Sequence, residues 1–99
     1  MFGLKSSDID SILEILGKHP DITEVLVFGS RAMGNYKPGS DIDIALKGSL
    51  KSETATNISA ELNERLPLPY KFDVIDYSEL TVGALKEHID KFGKILYTK

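Results

Sequence analysis

The feature that most constrains this chain is the stretch Val27–Leu46, VFGSRAMGNYKPGSDIDIAL, in which two apolar segments flank a short polar loop. The first segment runs into Gly29-Ser30, and the second opens with Asp41-Ile42-Asp43. Apolar runs of this length, bounded by Gly and Pro, predict two β-strands. Only 11 residues separate Gly29 from Asp41, which is short for a parallel crossover and predicts antiparallel neighbours. The end of the first strand would then lie beside the start of the second.

Acidic side chains cluster on the second predicted strand. Residues two apart share a face of a strand, so Asp41 and Asp43 lie side by side. Their mutual repulsion raises the pKa of one of them unless a cation lies between them. Mg²⁺ is the natural cation because it prefers oxygen ligands, and Mn²⁺ accepts the same ligands. Asp73, in an otherwise apolar predicted strand, is the best third carboxylate; an ion pair with Lys71 or a solvent-facing position is its alternative.

The Gly29-Ser30 pair predicts a tight turn that can receive phosphate oxygens. Glycine permits the backbone path, and N–H groups at a following helix start bind anions. Arg31, next to the turn, and Lys37 are the cations that could stabilise a triphosphate. The spacing of Gly29 and Gly34 matches part of a P-loop, but Asn35-Tyr36 stand where Lys-Ser/Thr is required. A phosphate-binding turn and metal ligands at one edge of a sheet indicate a nucleotide site.

The rest of the chain predicts alternating helices and strands in one domain, residues 1–99. The fold class is α/β (α+β), with a small mixed β-sheet flanked by helices. The two histidines, His19 and His88, have no matching ligand partners nearby in sequence and are assigned to helix surfaces. The further elements are a helix capped by Ser6 or Ser7 and ended by Gly17 and Pro20, a helix from Ser52 stopped by Pro67 and Pro69, a strand Tyr70–Asp76, a helix marked by Val82, Leu85, Ile89 and Phe92, and an edge strand Lys94–Tyr97.

Composition excludes several classes of function. The net charge of −3 argues against non-specific nucleic-acid binding, which needs a basic face. The chain has no cysteine, so disulfides and thiolate metal sites are excluded. No segment is apolar and long enough to span a membrane, and none has the pattern of a signal peptide. We therefore expect a cytoplasmic protein.

These residues resemble the DNA polymerase beta superfamily of nucleotidyltransferases, and within it the minimal nucleotidyltransferases. The superfamily pattern is Gly-Ser, ten residues, then Asp-x-Asp, which Gly29-Ser30, residues 31–40 and Asp41-Ile42-Asp43 match without a gap. Asp73 matches the third acid on a later strand. The resemblance implies the nucleotidyltransferase fold and two Mg²⁺ ions held by Asp41, Asp43 and Asp73, which are also the catalytic residues. The nucleotide-binding set is Gly29, Ser30, Arg31 and Ser40.

The resemblance also implies transfer of NMP from an NTP, most often AMP from ATP, to a hydroxyl. Stand-alone minimal members are similar to antitoxins that adenylylate a tyrosine of an α-helical HEPN-type toxin, which makes such a toxin the expected partner. Two other readings stay open: a non-catalytic subunit that senses nucleotide and docks a partner, and an enzyme acting on a small molecule such as an aminoglycoside. An exposed edge strand at Lys94–Tyr97 would favour self-association into a homo-oligomer.

Overall fold

A computed structural model of the protein describes residues 1–66, 68–81 and 83–99. Its helices and strands alternate along the chain, as the sequence predicts, and helices cover both faces of the sheet. Predictions that involve Pro67 and Val82 fall outside the described residues. The elements are α1 (Ser6–Gly17), β1 (Ile22–Phe28), α2 (Ser30–Met33), β2 (Ile42–Gly48), α3 (Thr54–Ala60), a π-helical segment (Glu61–Arg65), β3 (Phe72–Asp76), a 3₁₀ turn (Tyr77–Glu79), α4 (Ala84–Phe92) and β4 (Lys94–Thr98).

The four strands form one mixed sheet in the order β3-β2-β1-β4. β1 is antiparallel to β2 and to β4, whereas β2 and β3 are parallel and are connected through α3. The predicted antiparallel pairing of the first two strands is confirmed, and so is the predicted edge strand at the C-terminal end. The α/β (α+β) fold with a small mixed sheet is therefore confirmed.

The two faces of the sheet have different coverings. α1 and α3 pack on one face, where they bury apolar side chains such as Ile12 and Ile58. α4 covers the other face, and its residue Ile89 packs against Leu26, Phe28 and Ala45. Each fully buried side chain of this kind contributes roughly 1.5–3 kcal/mol. Because side chains alternate along β2, Ile42, Ile44 and Leu46 join the first face, which leaves Asp43 on the α4 face.

The predicted serine caps of two helices are wrong. Lys5 stands at the N-cap of α1 and makes no side-chain cap. The predicted capping residues, Ser6 and Ser7, lie within the first turn of the helix. Glu53 precedes α3 in place of Ser52. The hydroxyl of Ser52 donates to a Glu53 carboxylate oxygen at 2.9 Å and so is engaged elsewhere. Asp76 caps the 3₁₀ turn, because its carboxylate accepts the backbone N–H of Ser78 at 2.9 Å.

The outer edge of β3 is covered by a side chain from the π-helical segment. The Nδ2 group of Asn63 donates to the carbonyl of Phe72 at 3.0 Å, and the N–H of Phe72 donates to Asn63 Oδ1 at 2.8 Å. This pair of bonds reproduces what a neighbouring strand would supply. It fixes the backbone of β3 one residue before Asp73.

In the described part of the chain, no helix is long and apolar enough to cross a membrane.

Candidate active site

Two of the three predicted acids lie next to each other on the parallel strands β2 and β3. In the β2–β3 register Asp43 is paired with Asp73, and in the β1–β2 register Asp43 is paired with Phe28. Both carboxylates are half-buried and project from the sheet face that α4 covers. The structure thus brings the end of β1 and the starts of β2 and β3 to one edge, as the loop length predicts.

The electrostatics of this pair are those of like charges in a partly buried place. Burial, followed by the charge of Asp73, raises the pKa of Asp43 from 3.8 to about 6. The pKa of Asp43 is raised further by a hydrogen bond that its protonated form donates to Asp73. The charge of Asp41 also raises this pKa, whereas His88 lowers it. Near neutral pH, both carboxylates are therefore close together in a partly buried site that disfavours the ionised form of Asp43. A bound cation would relieve that repulsion.

Gly29 lies directly against the side chain of Asp43. Its φ is +73°, in the left-handed region that glycine tolerates. A Cβ at this position would overlap the Oδ2 atom of Asp43. Gly29 also precedes α2, whose first N–H groups have no intrahelical partner because they lie at a helix start. A side chain larger than hydrogen is therefore excluded here by both backbone conformation and contact.

His88 was predicted to lie on a helix surface, and that prediction is wrong. The backbone N–H of Gly29 donates to Nε2 of His88 at 3.0 Å. The imidazole packs edge-on against Phe28, with ring centroids 6.2 Å apart, and against Phe92 at 5.4 Å. The separation of 59 positions between Gly29 and His88 hides this contact from local sequence reasoning. One signal was present: positions 85, 88, 89 and 92 form a stripe of helical spacing, which puts His88 on the sheet-facing side of α4.

Arg31 is buried behind the turn, with 3% of its surface exposed. Its Nη2 and Nε groups donate to the carbonyl of Ser40 at 2.9 and 3.2 Å, and Nη1 donates to the carbonyl of Phe2 at 2.9 Å. The guanidinium lies between the rings of Tyr36 and Tyr70, 5.1 and 4.9 Å from their centroids. These contacts make Arg31 the anchor of the loop that leads into β2. A direct contact between Arg31 and phosphate stays a prediction.

Ser40 closes the turn that precedes the acids. Its Oγ accepts the N–H of Lys37 at 2.8 Å, and its own N–H donates to the carbonyl of Lys37 at 3.0 Å. Asp41 follows as an exposed residue immediately before β2. Ser40 therefore holds the backbone at the point where the acidic segment begins, and its predicted role in nucleotide binding stays a prediction.

The donor set suits a hard divalent cation, although the three acids are not gathered as they stand. Asp43 and Asp73 offer adjacent carboxylate oxygens, the ligand type that Mg²⁺ prefers. Among residues 1–66, 68–81 and 83–99, no three His, Asp or Glu side chains already form a group that could hold an ion. The exposed side chain of Asp41 is the one that would have to turn towards the pair.

The fold and the site together define a class. A small mixed sheet presents paired acids beside a Gly-Ser turn, which is the arrangement of a nucleotidyltransferase. The sequence model of the family "Polymerase beta, Nucleotidyltransferase" matches residues 10–99. The chain belongs to this family, whose members generally use divalent metal ions.

Individual relatives place the chain within that family. It is 32% identical over 81 residues to a protein of Methanocaldococcus jannaschii named as a candidate protein adenylyltransferase; the match covers 72% of this chain and 66% of the relative. The fold is shared with a chain in a crystal structure of a toxin–antitoxin with AMP-PNP, at a TM-score of 0.73 and 23% identity, covering 97% of this chain and 75% of the other. It is also shared with a chain in the complex of a tri-AMPylated Shewanella oneidensis HEPN toxin with its MNT antitoxin, at a TM-score of 0.71 and 20% identity, covering 97% and 74%.

Proposed function

We propose that this protein is a protein adenylyltransferase, which transfers AMP from ATP to a tyrosine hydroxyl of a helical HEPN-type toxin and thereby acts as its antitoxin. The observation that carries the proposal is the pairing of Asp43 with Asp73 in the β2–β3 register, directly beside Gly29. The relative named as a candidate protein adenylyltransferase supports the reaction class. The two toxin–antitoxin structures with the same fold support the partner.

The chain's own residues divide the work between binding and proton transfer. The backbone N–H groups of Gly29 and Ser30 receive oxygens of the triphosphate at the start of α2; the Gly29 N–H donates to His88 when no nucleotide is bound. The acceptor oxygen attacks the α-phosphorus, the bond from that phosphorus to the bridging oxygen of the β-phosphate breaks, and pyrophosphate leaves. Asp73 takes the proton of the attacking hydroxyl. Arg31 acts at a distance by fixing the loop before Asp41 through the carbonyl of Ser40.

Asp41, Asp43 and Asp73 would hold two divalent ions, which we propose to be Mg²⁺, with Mn²⁺ as a substitute. Bound ions of this kind neutralise the triphosphate and stabilise the charge on the attacking and leaving oxygens. The pairing of Asp43 with Asp73 supports this role, and their repulsion in the metal-free protein favours a cation between them. The exposed position of Asp41 at the start of β2 allows its side chain to complete the set.

A labelling experiment tests the proposal. The protein is incubated with Mg²⁺ and α-³²P-labelled ATP, with and without a HEPN-type protein purified as its tyrosine-containing form and as a Tyr→Phe variant. We expect label on the tyrosine-containing partner alone. The matched pair of variants is Asp43→Asn, which removes a carboxylate from the site, and Asp76→Asn, which changes an acid at the far end of β3 where an amide oxygen can still cap the turn.

The outcomes separate the readings that the sequence leaves open. Asp43→Asn should lower transfer by at least about a thousandfold, since it removes several kcal/mol of transition-state stabilisation, whereas Asp76→Asn should retain it. Label on an added aminoglycoside and not on the protein partner would identify a small-molecule enzyme instead. Nucleotide binding without label under any condition would identify a non-catalytic subunit. Wild-type turnover by Asp43→Asn would refute the site assignment itself.

A further inference from the structure

His88 accepts a hydrogen bond from the N–H of Gly29, the donor that the proposed function assigns to a nucleotide phosphate. The N–H of Gly29 points at Nε2 of His88, 3.0 Å away. Because Nε2 accepts this bond, it carries no hydrogen and presents a lone pair to the turn. A phosphate oxygen at the same N–H would also present lone pairs. Both acceptors cannot occupy one donor, so either the imidazole or the phosphate holds it at any time.

The imidazole is held in this position by more than the hydrogen bond. Its ring contacts the rings of Phe28 and Phe92, and Phe28 is the residue immediately before Gly29. α4 does not depend on His88 for its place on the sheet, because Ile89 is 1% exposed and packs in the cluster of Leu26, Phe28 and Ala45. A residue needed only to attach α4 could be apolar here. The nitrogen supplies an acceptor for the Gly29 N–H, which an apolar side chain could not supply.

We infer that His88 occupies the phosphate-binding position on Gly29 in the nucleotide-free protein and is displaced by the incoming triphosphate, so that it sets the affinity for nucleotide. This inference depends on the proposed function, since it takes Gly29 as a phosphate-binding residue. His88 acts on nucleotide binding by occupying the N–H of Gly29. Its bond to Gly29 must be broken before the triphosphate binds, which lowers the apparent affinity by the fraction of protein in which the donor is covered.

Two substitutions distinguish the effect of the accepting nitrogen of His88 from the effect of its aromatic ring. His88→Phe keeps an aromatic ring between Phe28 and Phe92 and removes the acceptor. His88→Gln removes the ring and keeps an acceptor at about the same distance from the backbone. Dissociation constants for MgATP and for magnesium tripolyphosphate are measured by titration calorimetry with wild type and both variants. Far-ultraviolet circular dichroism and thermal unfolding of each variant check that α4 is retained.

We expect His88→Phe to bind both MgATP and tripolyphosphate about twofold to tenfold more tightly than wild type, the range that one net hydrogen bond accounts for. His88→Gln should stay within about twofold of wild type. In turnover assays the KM for ATP should fall for His88→Phe without an equal change in kcat, which a merely structural role of the histidine would not produce.

A second readout observes the donor itself. In ¹⁵N-resolved spectra, the Gly29 amide of the nucleotide-free protein should shift on His88→Phe, and the His88 ring nitrogens of wild type should shift when MgATP is added. Weaker or unchanged nucleotide binding by His88→Phe, with wild type binding normally, would refute the inference and leave the proposed function standing. Failure of wild type to bind either ligand would refute the proposed function, and the inference with it.

Discussion

Replacing Asp43 by Asn should stabilise the metal-free protein while it abolishes transfer. Burial and the charge of Asp73 raise the pKa of Asp43 from 3.8 to about 6, so the ionised carboxylate is less favourable in the folded chain than in the unfolded one. An acid whose folded pKa is raised contributes most to stability below its unfolded pKa, and the contribution is lost as pH rises through the folded pKa. Above about pH 6 the folded protein therefore carries the full penalty. The amide of the Asp43→Asn variant has no charge, so the penalty does not apply to it.

The size of the effect follows from the shift in pKa. A change from 3.8 to about 6 corresponds to about 3 kcal/mol if it is converted in full. Asp43 is only half-buried, so solvent screening reduces this to about 1–2 kcal/mol in the free energy of unfolding at pH 7.5. Between the two pKa values the penalty declines, and at pH 4.5 about a third of it remains.

The measurement is urea unfolding of wild type and Asp43→Asn in EDTA at pH 7.5 and pH 4.5. We expect a gain of about 1–2 kcal/mol for the variant at pH 7.5 and a much smaller gain at pH 4.5. Asp76→Asn is the control, because Asp76 lies at the other end of β3 and should show no such gain. A variant no more stable than wild type at pH 7.5, or a gain that does not change with pH, would refute the electrostatic account.

Three further substitutions test other contacts of the site. Arg31→Lys should lower the free energy of unfolding by about 2–4 kcal/mol, because an ammonium cannot replace the buried guanidinium that donates to the Ser40 and Phe2 carbonyls. An unchanged urea midpoint would contradict this. Asn63→Ala should cost about 1–2 kcal/mol and speed hydrogen exchange at the Phe72 amide, whereas unchanged exchange would show that water replaces the side chain without loss. Gly29→Ala should cost more than Gly34→Ala in thermal unfolding, because both have positive φ but only Gly29 would place a Cβ against Asp43, and equal losses would show that backbone strain alone matters.

The strands and the position of the acids could be predicted from local pattern. Alternation along β2 and β3 places Asp43 and Asp73 on one face, and the loop of 11 residues is too short for anything but an antiparallel neighbour. Both arguments use only the period of a strand and the reach of the chain. They hold because the backbone ladder fixes where each side chain points once the strands have paired.

What could not be predicted depends on contacts between distant segments. His88 meets Gly29 only because α4 packs back on β1, and no local pattern gives that docking angle. Arg31 was predicted as a cation near phosphate, but whether a basic side chain faces solvent or the interior depends on carbonyls from Phe2 and Ser40, which the fold brings to it. The predicted cap by Ser52 failed because its hydroxyl can bond either a helix end or a neighbouring carboxylate, and here it bonds Glu53.

The bonds between Asn63 and Phe72 make the two borders of the sheet unequal. At the β3 border, the N–H and C=O groups of Phe72, which could pair with another chain, are already bonded from within the molecule. At the β4 border, Lys94–Thr98 pairs with β1 on one side only, so its other row of N–H and C=O groups faces outward. Growth of the sheet by addition of a foreign strand is thus directed to β4, on the opposite side of the domain from the strand that carries Asp73.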